Sequence, residues 1–519
     1  MERFVTRHRS LVTCVLSGFD RLVFRGTLIP LVMDGGMYTL LKRSGIRLLD
    51  FGNFVQATSN RIRARTLREA ERAGRPVRYL KSSLTSKEDL ARQLLEEQPV
   101  ERGLVCAFTT VEPCMSFEYH RSKDRQERGL KLRPRKCLHV YKYYLHPLFG
   151  FINARIQTWF PFNIQICLNG REWLGRQLSR RRRTDFDRND NCFTRLGDPQ
   201  LAQRLMDEQL ETNWPKELTT IARRLNPLHE EIFQPWPQDY YWSTYQSEWA
   251  TDLLFESPEA LASIYPGLVR HATLHFASPD VMRFLGRKGV HGRFEGELTS
   301  SLKCRREGVR VKHWVHGNSI KMYDKAGSVL RIETTIAKTT DFKVLRPLQD
   351  DPNGKLAWRP LRKGVADLHR RAEVSQQAND RYLDALAAVS DETPLASILD
   401  QVSEHTTYHG RRVRGLRIGD AADIELLGVV ARGEFATAGF RNRDLRALLC
   451  PESIKASKDH QRRLTAKIGR LLRMLRAHGI VQKVQKSHLY KLTDKGRVLA
   501  AALFAVRGAS IKSLLGQAA

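Results

Sequence analysis

Two carboxylates and an arginine stand together in one short segment of the chain. The segment at residues 319–336, SIKMYDKAGSVLRIETTI, is a predicted β-hairpin that contains Asp324, Arg331 and Glu333. With a turn of either two or four residues, strand pairing places these three side chains on one face. Paired carboxylates can bind Mg²⁺ or Mn²⁺, and an adjacent arginine can bind a phosphate group. The segment is therefore a candidate catalytic centre, and the alternative is an ordinary ion pair on a solvated sheet.

Two further pairs of acidic residues have the spacing of a catalytic or metal site. Glu248 and Asp252, in QSEWATDLLF, are four residues apart, so both project from one face of a predicted helix. An ordinary acidic helix face is the alternative. Asp20 and Glu112 lie in predicted strands that are far apart in sequence, an arrangement with which RNase H-like nucleases and transposases hold two metal ions. The candidate metal ligands are therefore Asp20, Glu112, Asp324 and Glu333.

The charge of the whole chain points to a polyanionic partner. The 519 residues include 87 Lys and Arg against 56 Asp and Glu, which gives a formal net charge of +31. A chain this basic repels itself until a polyanion neutralises it, and nucleic acid is the leading candidate. We expect DNA as the main partner, with RNA as the alternative. No apolar run approaches the ~20 residues of a membrane-spanning helix, so no membrane partner is expected.

The cysteines and the N-terminal segment favour a cytoplasmic protein. Eight cysteines are scattered without a C-x-x-C pair, which is typical of reduced cysteines rather than of a zinc site. The first apolar run breaks at Ser17 and Gly18 and meets Asp20 without a small-residue cleavage site, so a signal peptide is not expected.

The segment at residues 141–171 combines aromatic rings with basic side chains. Its alternation of aromatic and β-branched residues predicts two or three antiparallel strands. Flat rings can stack on unpaired bases while Arg and Lys hold phosphates. A sheet core with charged outer positions is the alternative. The predicted nucleic-acid surface consists of Tyr141, Lys142, Tyr143, Arg155, Trp159 and Arg171.

The last hundred residues carry the clearest nucleic-acid signal. The predicted elements are two helices, a long helix over SKDHQRRLTAKIGRLLRMLRAHG, a hairpin and a final helix, and residues 441–500 hold 16 Lys and Arg against 4 Asp and Glu. On the long helix, a leucine stripe lies opposite an arginine stripe. Such a helix fits a major groove, and the hairpin reaches an adjacent DNA backbone. A solvated basic bundle is the alternative. The predicted DNA contacts are Arg462, Lys467, Arg470, Arg473, Arg476, Lys483, Lys486 and Lys491.

The order of these elements resembles the winged-helix fold of MarR-type regulators. LLRMLRAHGIVQKVQKSHLYKLTDKG is similar to the helix, wing and helix of that family, and the resemblance covers residues 421–510. It implies DNA binding, with Arg462, Arg470 and Arg473 on the reading helix.

The hairpin at residues 319–336 has a resemblance of its own. The pattern YDK, a short turn and LRIE is similar to a segment of the rolling-circle replication initiators of plasmids and filamentous phage. In that family the Glu lies beside a metal ion at a DNA-nicking site. Candidates for the nucleophilic tyrosine of such a site are Tyr323 and Tyr382. The matching positions are Tyr323, Asp324, Lys325, Arg331 and Glu333.

Over its full length the chain also resembles a family of large basic bacterial proteins of unassigned activity. FDRLVFRGTL, IQTWFPFNIQICLNGREWL and QSEWATDLLF carry this resemblance, together with the hairpin segment. It implies a bacterial cytoplasmic origin and a mobile genetic element. The leading hypothesis is a mobile-element DNA-processing factor with a metal-dependent nicking, transposition or replication-initiation activity. The alternative is a non-enzymatic winged-helix regulator or a structured-RNA-binding protein, and the sequence does not fix the oligomeric state.

The predicted fold is a mixed-sheet α/β or α+β N-terminal and central region with an antiparallel meander, followed by an α+β winged-helix domain. A right-handed βαβ unit is expected near residue 100, where strand, helix and strand patterns follow one another. The predicted boundaries are an α/β domain at 1–120, a basic loop with aromatic strands at 121–200, a helical region at 201–292, the meander with following helices at 293–400, a linker at 401–420 and the winged helix at 421–510.

Overall fold

The structure, a computed structural model, describes most of the chain. The residues that it does not describe are 82–84, 122–127, 184, 190, 275, 277, 287–297, 306–307, 349–350, 352, 388–394, 433–434, 436–438, 452–456, 485–486 and 509–519.

The described residues form a mixed α/β fold with a large, mostly antiparallel sheet, which confirms the mixed α/β part of the predicted fold class. They include seventeen α-helices. In chain order these are α1 (Glu2–Arg7), α2 (Ile29–Val32), α3 (Gly36–Arg43), α4 (Phe51–Arg72), α5 (Lys87–Glu97), α6 (Gly170–Arg180), α7 (Pro199–Glu208), α8 (Trp214–Leu225), α9 (Leu228–Ile232), α10 (Pro258–Leu274), α11 (Ser278–Phe284), α12 (Leu368–Leu386), α13 (Leu395–Ser403), α14 (Ala421–Val430), α15 (Asn442–Leu449), α16 (Lys458–Ala477) and α17 (Asp494–Gly508).

The strands of the described residues are mostly long and antiparallel. They are β1 (Val12–Thr27), β2 (Val77–Tyr79), β3 (Gly103–Arg121), β4 (Arg128–His146), β5 (Gly150–Gln157), β6 (Ile164–Asn169), β7 (Phe186–Asn189), β8 (Cys192–Leu196), β9 (Tyr241–Phe255), β10 (Leu298–Arg305), β11 (Gly308–Val315), β12 (Asn318–Lys325), β13 (Val329–Ile336), β14 (Lys343–Arg346), β15 (Ala357–Pro360), β16 (Thr406–Tyr408), β17 (Arg411–Val413), β18 (Val481–Lys483) and β19 (Tyr490–Leu492).

The chain divides into two compact units, each built from separate stretches of sequence. The central unit contains Cys14–Leu254 and Glu333–Gln376. The terminal unit contains Met1–Thr13, Phe255–Ile332 and Gln377–Ala519. Strand β13 therefore contributes its first residues to the terminal unit and its last residues to the central unit.

A large, mostly antiparallel sheet organises the central unit. Its strands follow the order β13–β9–β1–β6–β5–β4–β3–β2, with β13 represented by residues 333–336. The pairs from β1 to β3 are antiparallel, whereas β2 runs parallel to β3. Because α5 connects β2 to β3, the predicted parallel βαβ unit is confirmed.

The hydrophobic core of the central unit lies between this sheet and several helices. Alternate residues of β1, such as Leu22 and Phe24, are buried there, as strand geometry requires. The helices α3, α4 and α8 supply Leu40, Phe51 and Leu218 to the same core. Across β3 and β4, α5 packs a smaller apolar cluster that includes Leu94, Phe108 and Tyr143.

Strand β1 continues for 16 residues through Gly18, and two predictions of local structure further along the chain are wrong. A Cβ atom at Gly18 would lie 2.1 Å from Cε of Met206, so this glycine permits close packing rather than a turn. The basic segment at 121–142 is a strand rather than a loop for most of its length, since β4 pairs with β3 as far as Arg128. Within the predicted helical region, residues 241–255 form β9.

The terminal unit contains the predicted four-strand meander, β10 to β13, which is confirmed. Ala326 and Gly327 both have positive φ, at 52° and 75°. This conformation is typical of a two-residue type I′ turn, one of the two turn lengths considered for the hairpin. Both of its strands are buried almost throughout, so the hairpin does not lie on a solvated surface.

The C-terminal part of the terminal unit has its own apolar core. Helix α16 contributes Ile468 and Leu475, the hairpin β18–β19 contributes Val481 and Leu492, and α17 contributes Leu499. The predicted order of three helices, hairpin and helix is present from α14 to α17. The predicted linker at 401–420 contains the short hairpin β16–β17.

Candidate metal centre

Three carboxylates converge in the central unit. Asp20, Glu248 and Glu333 each offer one oxygen atom, and these atoms all lie within 4.8 Å of one another. Asp20 is 4% exposed and Glu333 is 3% exposed, while Glu248 is half-buried. Three negative charges at this range repel one another unless a cation or shared protons neutralise them. The group can therefore hold a metal ion.

The order of the strands brings these residues together. Asp20 lies on β1, Glu248 on β9 and Glu333 on β13, and β9 is the neighbour of both other strands. Adjacent strands are roughly 4.8 Å apart, so side chains from three consecutive strands can reach one point. The rings of Phe19 and Trp249 pack edge-on, with centroids 4.8 Å apart. This contact holds their chain neighbours, Asp20 on β1 and Glu248 on β9, side by side.

Neutral side chains orient two of the carboxylates. Asn191 donates from Nδ2 to both Oδ1 and Oδ2 of Asp20, at 2.8 Å in each case. Gln246 donates from Nε2 to Oε1 of Glu248 at 3.2 Å. Amide donors fix the direction of a carboxylate without cancelling its charge, as the outer partners of metal ligands do. Sequence reasoning missed Asn191 and Gln246, although Gln246 stands two residues before Glu248 on the same strand.

An arginine lies in the electrostatic field of the group. Arg21 follows Asp20 on β1 and donates from Nε to Sγ of Cys167 at 3.2 Å. The pKa of Arg21 is raised, first by Cys167 and then, against the opposing effect of burial, by the charges of Glu88 and Glu248. Arg21 therefore stays cationic beside the carboxylates.

Each of the three candidate ligands belongs to a different predicted site. Glu333 comes from the hairpin, Glu248 from the pair in QSEWATDLLF, and Asp20 from the predicted strand-end pair. Asp324 is not part of the group; it is half-buried in the terminal unit, where burial raises the pKa of its carboxyl group. Arg331 is fully buried on β13.

Asp252 has a structural partner rather than a metal-binding geometry. The helical spacing expected for Glu248 and Asp252 is wrong, because both lie on strand β9. Asp252 is 1% exposed and accepts a hydrogen bond from the guanidinium of Arg171 at 2.9 Å. The same guanidinium donates to the backbone carbonyls of Leu16 and Ala250. This ion pair ties β1, β9 and α6 together.

Glu112 and Asp20 do not share a site. Four steps of the strand order separate β3 from β1, which corresponds to roughly 19 Å across the sheet. Glu112 accepts hydrogen bonds from Tyr141 and Arg155, at 2.8 and 3.0 Å. It also forms an ion pair with Lys87 at 3.2 Å. Burial alone would raise the pKa of Glu112, but the hydrogen bond from Tyr141 and the charges of Arg155 and Lys87 hold it below its usual value.

The predicted aromatic and basic surface is not a single surface. Lys142 is buried, and its ammonium group donates to Glu69 and to the carbonyl of Leu225. Arg171 is buried with Asp252, and Tyr143 belongs to the small core under α5. Strand alternation explains the difference, because Lys142 points to the face opposite to Tyr141 and Tyr143. Trp159 packs against the main core, and Arg155 is paired with Glu112.

The two candidate tyrosine nucleophiles are buried. Tyr382 is 0% exposed, and its hydroxyl group lies 3.2 Å from Nε2 of His313 among the rings of Phe276 and Phe284. Burial raises the pKa of Tyr382 well above its usual value. Tyr323 is 7% exposed. Neither hydroxyl is accessible to a nucleic-acid strand in this conformation.

The predicted DNA contacts lie mostly on the surface of the terminal unit. Arg476 is half-buried and lies over the ring of Tyr408, with its guanidinium carbon 5.4 Å from the centroid. Lys491 is half-buried on β19, and Lys486 lies outside the described residues. The exposed positions are Arg462, Lys467, Arg470, Arg473 and Lys483.

Comparisons of this chain with known proteins found no match. No protein-family model matches the chain, and neither a curated protein nor a solved structure matches it. Among the described residues, no helix is long and apolar enough to cross a membrane.

Proposed function

We propose that this protein is a nuclease or strand-transfer enzyme that acts on nucleic acid with a divalent metal ion held by Asp20, Glu248 and Glu333. The observation that supports the proposal is the convergence of these three carboxylates within 4.8 Å. Hard cations such as Mg²⁺ and Mn²⁺ prefer ligand sets made of carboxylate oxygens. A role in transposition or in replication initiation of a mobile element fits this activity.

The charge distribution supports a polyanionic substrate. The chain carries a net charge of +31, so its surface attracts nucleic acid over a range of several ångströms. The acidic group is an exception to this charge, and three carboxylates alone would repel a phosphodiester. A divalent cation held by the carboxylates would remove that repulsion. Asp20, Glu248 and Glu333 would then position the phosphate through the cation.

Hydrolysis or strand transfer at such a site is a single displacement at phosphorus. A metal ion held by Asp20, Glu248 and Glu333 would supply Lewis acidity for this displacement. The attacking oxygen forms the new bond to phosphorus, its proton passes to solvent or to a carboxylate, and the bond to the leaving oxygen breaks. The leaving oxygen takes up a proton. Among the described carboxylates at the site, Glu248 is the most accessible to solvent and is the one placed to accept the first proton.

The test is cleavage by the purified full-length chain. Labelled single-stranded DNA, duplex DNA and RNA are incubated with Mg²⁺, with Mn²⁺ or with a chelator, and the products are resolved on a denaturing gel. We expect cleavage or strand joining with a metal ion and none with the chelator. If no substrate is processed with either metal, the enzymatic proposal is wrong. Binding that survives chelation would then favour a non-enzymatic regulator or a structured-RNA-binding protein.

A second proposal concerns the C-terminal helices and hairpin of the terminal unit. We propose that they form a winged helix that docks on DNA, as the resemblance to MarR-type regulators implies. The supporting observation is that Arg462, Arg470 and Arg473 are exposed on α16 while Ile468 and Leu475 of the same helix are buried. The short hairpin β18–β19 follows directly and carries Lys483 on its surface.

Charge reversal on α16 tests this proposal. We expect Arg470→Glu combined with Arg473→Glu to remove sequence-selective DNA binding. The slope of log affinity against log salt should also become shallower, by about 0.9 for each phosphate that the variant no longer neutralises. Fluorescence anisotropy at several salt concentrations measures both effects.

The control changes the net charge by the same amount elsewhere. Arg63 and Arg68 are exposed on α4, so Arg63→Glu with Arg68→Glu matches the alteration. An equal loss of affinity in both variants would show general electrostatic attraction and would contradict a reading role for α16.

A further inference from the structure

A polar cavity of about 370 Å³ lies near the acidic group in the central unit. Its floor consists of two rows of side chains that cross four strands. One row runs through Val23, Cys167, Asn153 and Tyr143, and the other includes Gln165, Arg155 and Tyr141. The first residues of α5 and its N-cap line it as well, among them Ser86 and Lys87. We call this space the amide cavity, after Asn153 and Gln165.

Two amide groups in the cavity are available for hydrogen bonding as far as the described part of the chain is concerned. Asn153 and Gln165 are half-buried, and neither side chain makes a hydrogen bond with any residue that the structure describes. Each amide offers two donors and one acceptor. By contrast, Asn191 and Gln246 use their amides on the carboxylates. The cavity therefore presents hydrogen-bonding groups that are available to a ligand.

The charged residues of the cavity are nearly balanced. Arg21 pairs with Glu88 at 3.4 Å, and both Arg155 and Lys87 pair with Glu112, at 2.9 and 3.2 Å. Each of the three cations that line the cavity is therefore paired with a carboxylate, so the cavity favours an occupant that is polar but close to neutral. A nucleobase has this character, and its edges match amide donors and acceptors.

The position of the cavity relates it to the acidic group. Arg21 and Cys167 line the cavity and lie in the electrostatic field of Glu248, whereas the side chain of Asp20 leaves β1 on the face opposite to Arg21. The cavity and the acidic group therefore flank the same strand, β1.

We infer that the amide cavity binds the base of an unpaired nucleotide of the nucleic acid that is processed at the acidic group. This inference deepens the proposed function and rests on it for the kind of substrate. A base can enter the cavity only when it is free of its stack and its pairing partner, so the substrate class is single-stranded or locally opened nucleic acid.

The experiment is a double-mutant cycle measured in the presence of a chelator. One arm is the full-length protein with Asn153→Ala and Gln165→Ala, and the other is a single-stranded DNA oligonucleotide whose bases are all removed while its phosphates remain. We expect each change alone to weaken binding about tenfold or more, because two hydrogen bonds are removed. Once the amides are gone, removal of the bases should cost little further affinity.

The control removes the same two kinds of amide elsewhere. Gln56 and Asn60 are exposed on α4, and Gln56→Ala with Asn60→Ala should leave both affinities unchanged. Fully additive losses in the cycle, or unchanged binding by the cavity variant, would overturn the inference.

Failure of the inference and failure of the proposed function give different results. If the cycle shows coupling but no metal ion supports cleavage, base binding stands and the enzymatic proposal fails. If cleavage depends on Glu333 but the cycle shows no coupling, the enzymatic proposal stands and the cavity has another occupant.

Discussion

Glu333→Gln should abolish metal-dependent processing of nucleic acid and the stabilisation that a metal ion gives to the fold. The substitution keeps the size of the side chain and removes one of three charges that lie within 4.8 Å. We expect the rate of cleavage to fall by at least about a hundredfold, since a metal ion stabilises the transition state by several kcal/mol. Single-turnover cleavage at saturating Mn²⁺ measures this effect.

Thermal unfolding gives an independent measurement of the same site. A ligand that binds only the folded state stabilises it by about 2.7 kcal/mol at a hundred times its dissociation constant. The melting temperature of the wild-type chain should therefore rise with Mn²⁺, and that of the Glu333→Gln variant should rise much less. Because the comparison is made with and without metal for each variant, any effect of the substitution on folding itself cancels.

Asp324→Asn is the matched control. Asp324 is a carboxylate of the same hairpin, is half-buried and lies outside the group of three. We expect this variant to retain both cleavage and the metal-dependent rise in melting temperature. If Asp324→Asn loses them while Glu333→Gln keeps them, the metal centre lies elsewhere on the hairpin.

Arg171→Met should cost about 3–5 kcal/mol of the free energy of unfolding, which is the typical effect of removing one partner of a buried ion pair. Arg171 is 0% exposed and Asp252 is 1% exposed. Without the guanidinium, the Asp252 carboxylate and the carbonyls of Leu16 and Ala250 stay buried without this donor. Denaturant unfolding followed by fluorescence measures the change in stability.

The double variant Arg171→Met with Asp252→Leu tests whether the loss of stability in Arg171→Met comes from the Asp252 carboxylate that stays buried. We expect it to be more stable than Arg171→Met alone, because the buried carboxylate is removed together with its guanidinium partner. Arg47 and Asp50 provide the control, since they form an equally close pair, 2.7 Å, in which Arg47 is 82% exposed. Arg47→Met should change stability by less than about 1 kcal/mol. Equal effects of Arg171→Met and Arg47→Met would contradict a structural role for the buried pair.

The local pattern of the sequence predicts the elements that have short-range signals. The turn residues around Ala326 and Gly327 indicate the meander, and the strand, helix and strand order near residue 100 indicates the parallel βαβ unit. The cap of α6 is equally local, because the Asn169 side chain accepts hydrogen bonds from the N–H groups of Arg171 and Glu172. In each case the deciding interactions lie within a few residues.

The candidate metal centre depends on information that the sequence does not carry locally. The residue types single out Asp20, Glu248 and Glu333, but the spacing suggests a different partner for each. Their convergence follows from the neighbourhood of β1, β9 and β13, which is decided by contacts between distant residues such as Phe19 and Trp249. The spacing of four between Glu248 and Asp252 fits one face of a helix and equally one face of a strand. Strand pairing, which depends on distant residues, decides between the two.

The three proposed ligands are spread widely along the chain, and this has a consequence for synthesis in the cell. Asp20 and Glu333 lie 313 positions apart in the sequence. Strands that pair across such a distance fold slowly, because a long loop must close first. A ribosome that has released only the first three hundred residues displays a basic chain with no complete acidic group. If the proposed activity is correct, it can begin only when synthesis has passed β13, so an incomplete chain would not yet cleave the messenger RNA from which it is translated.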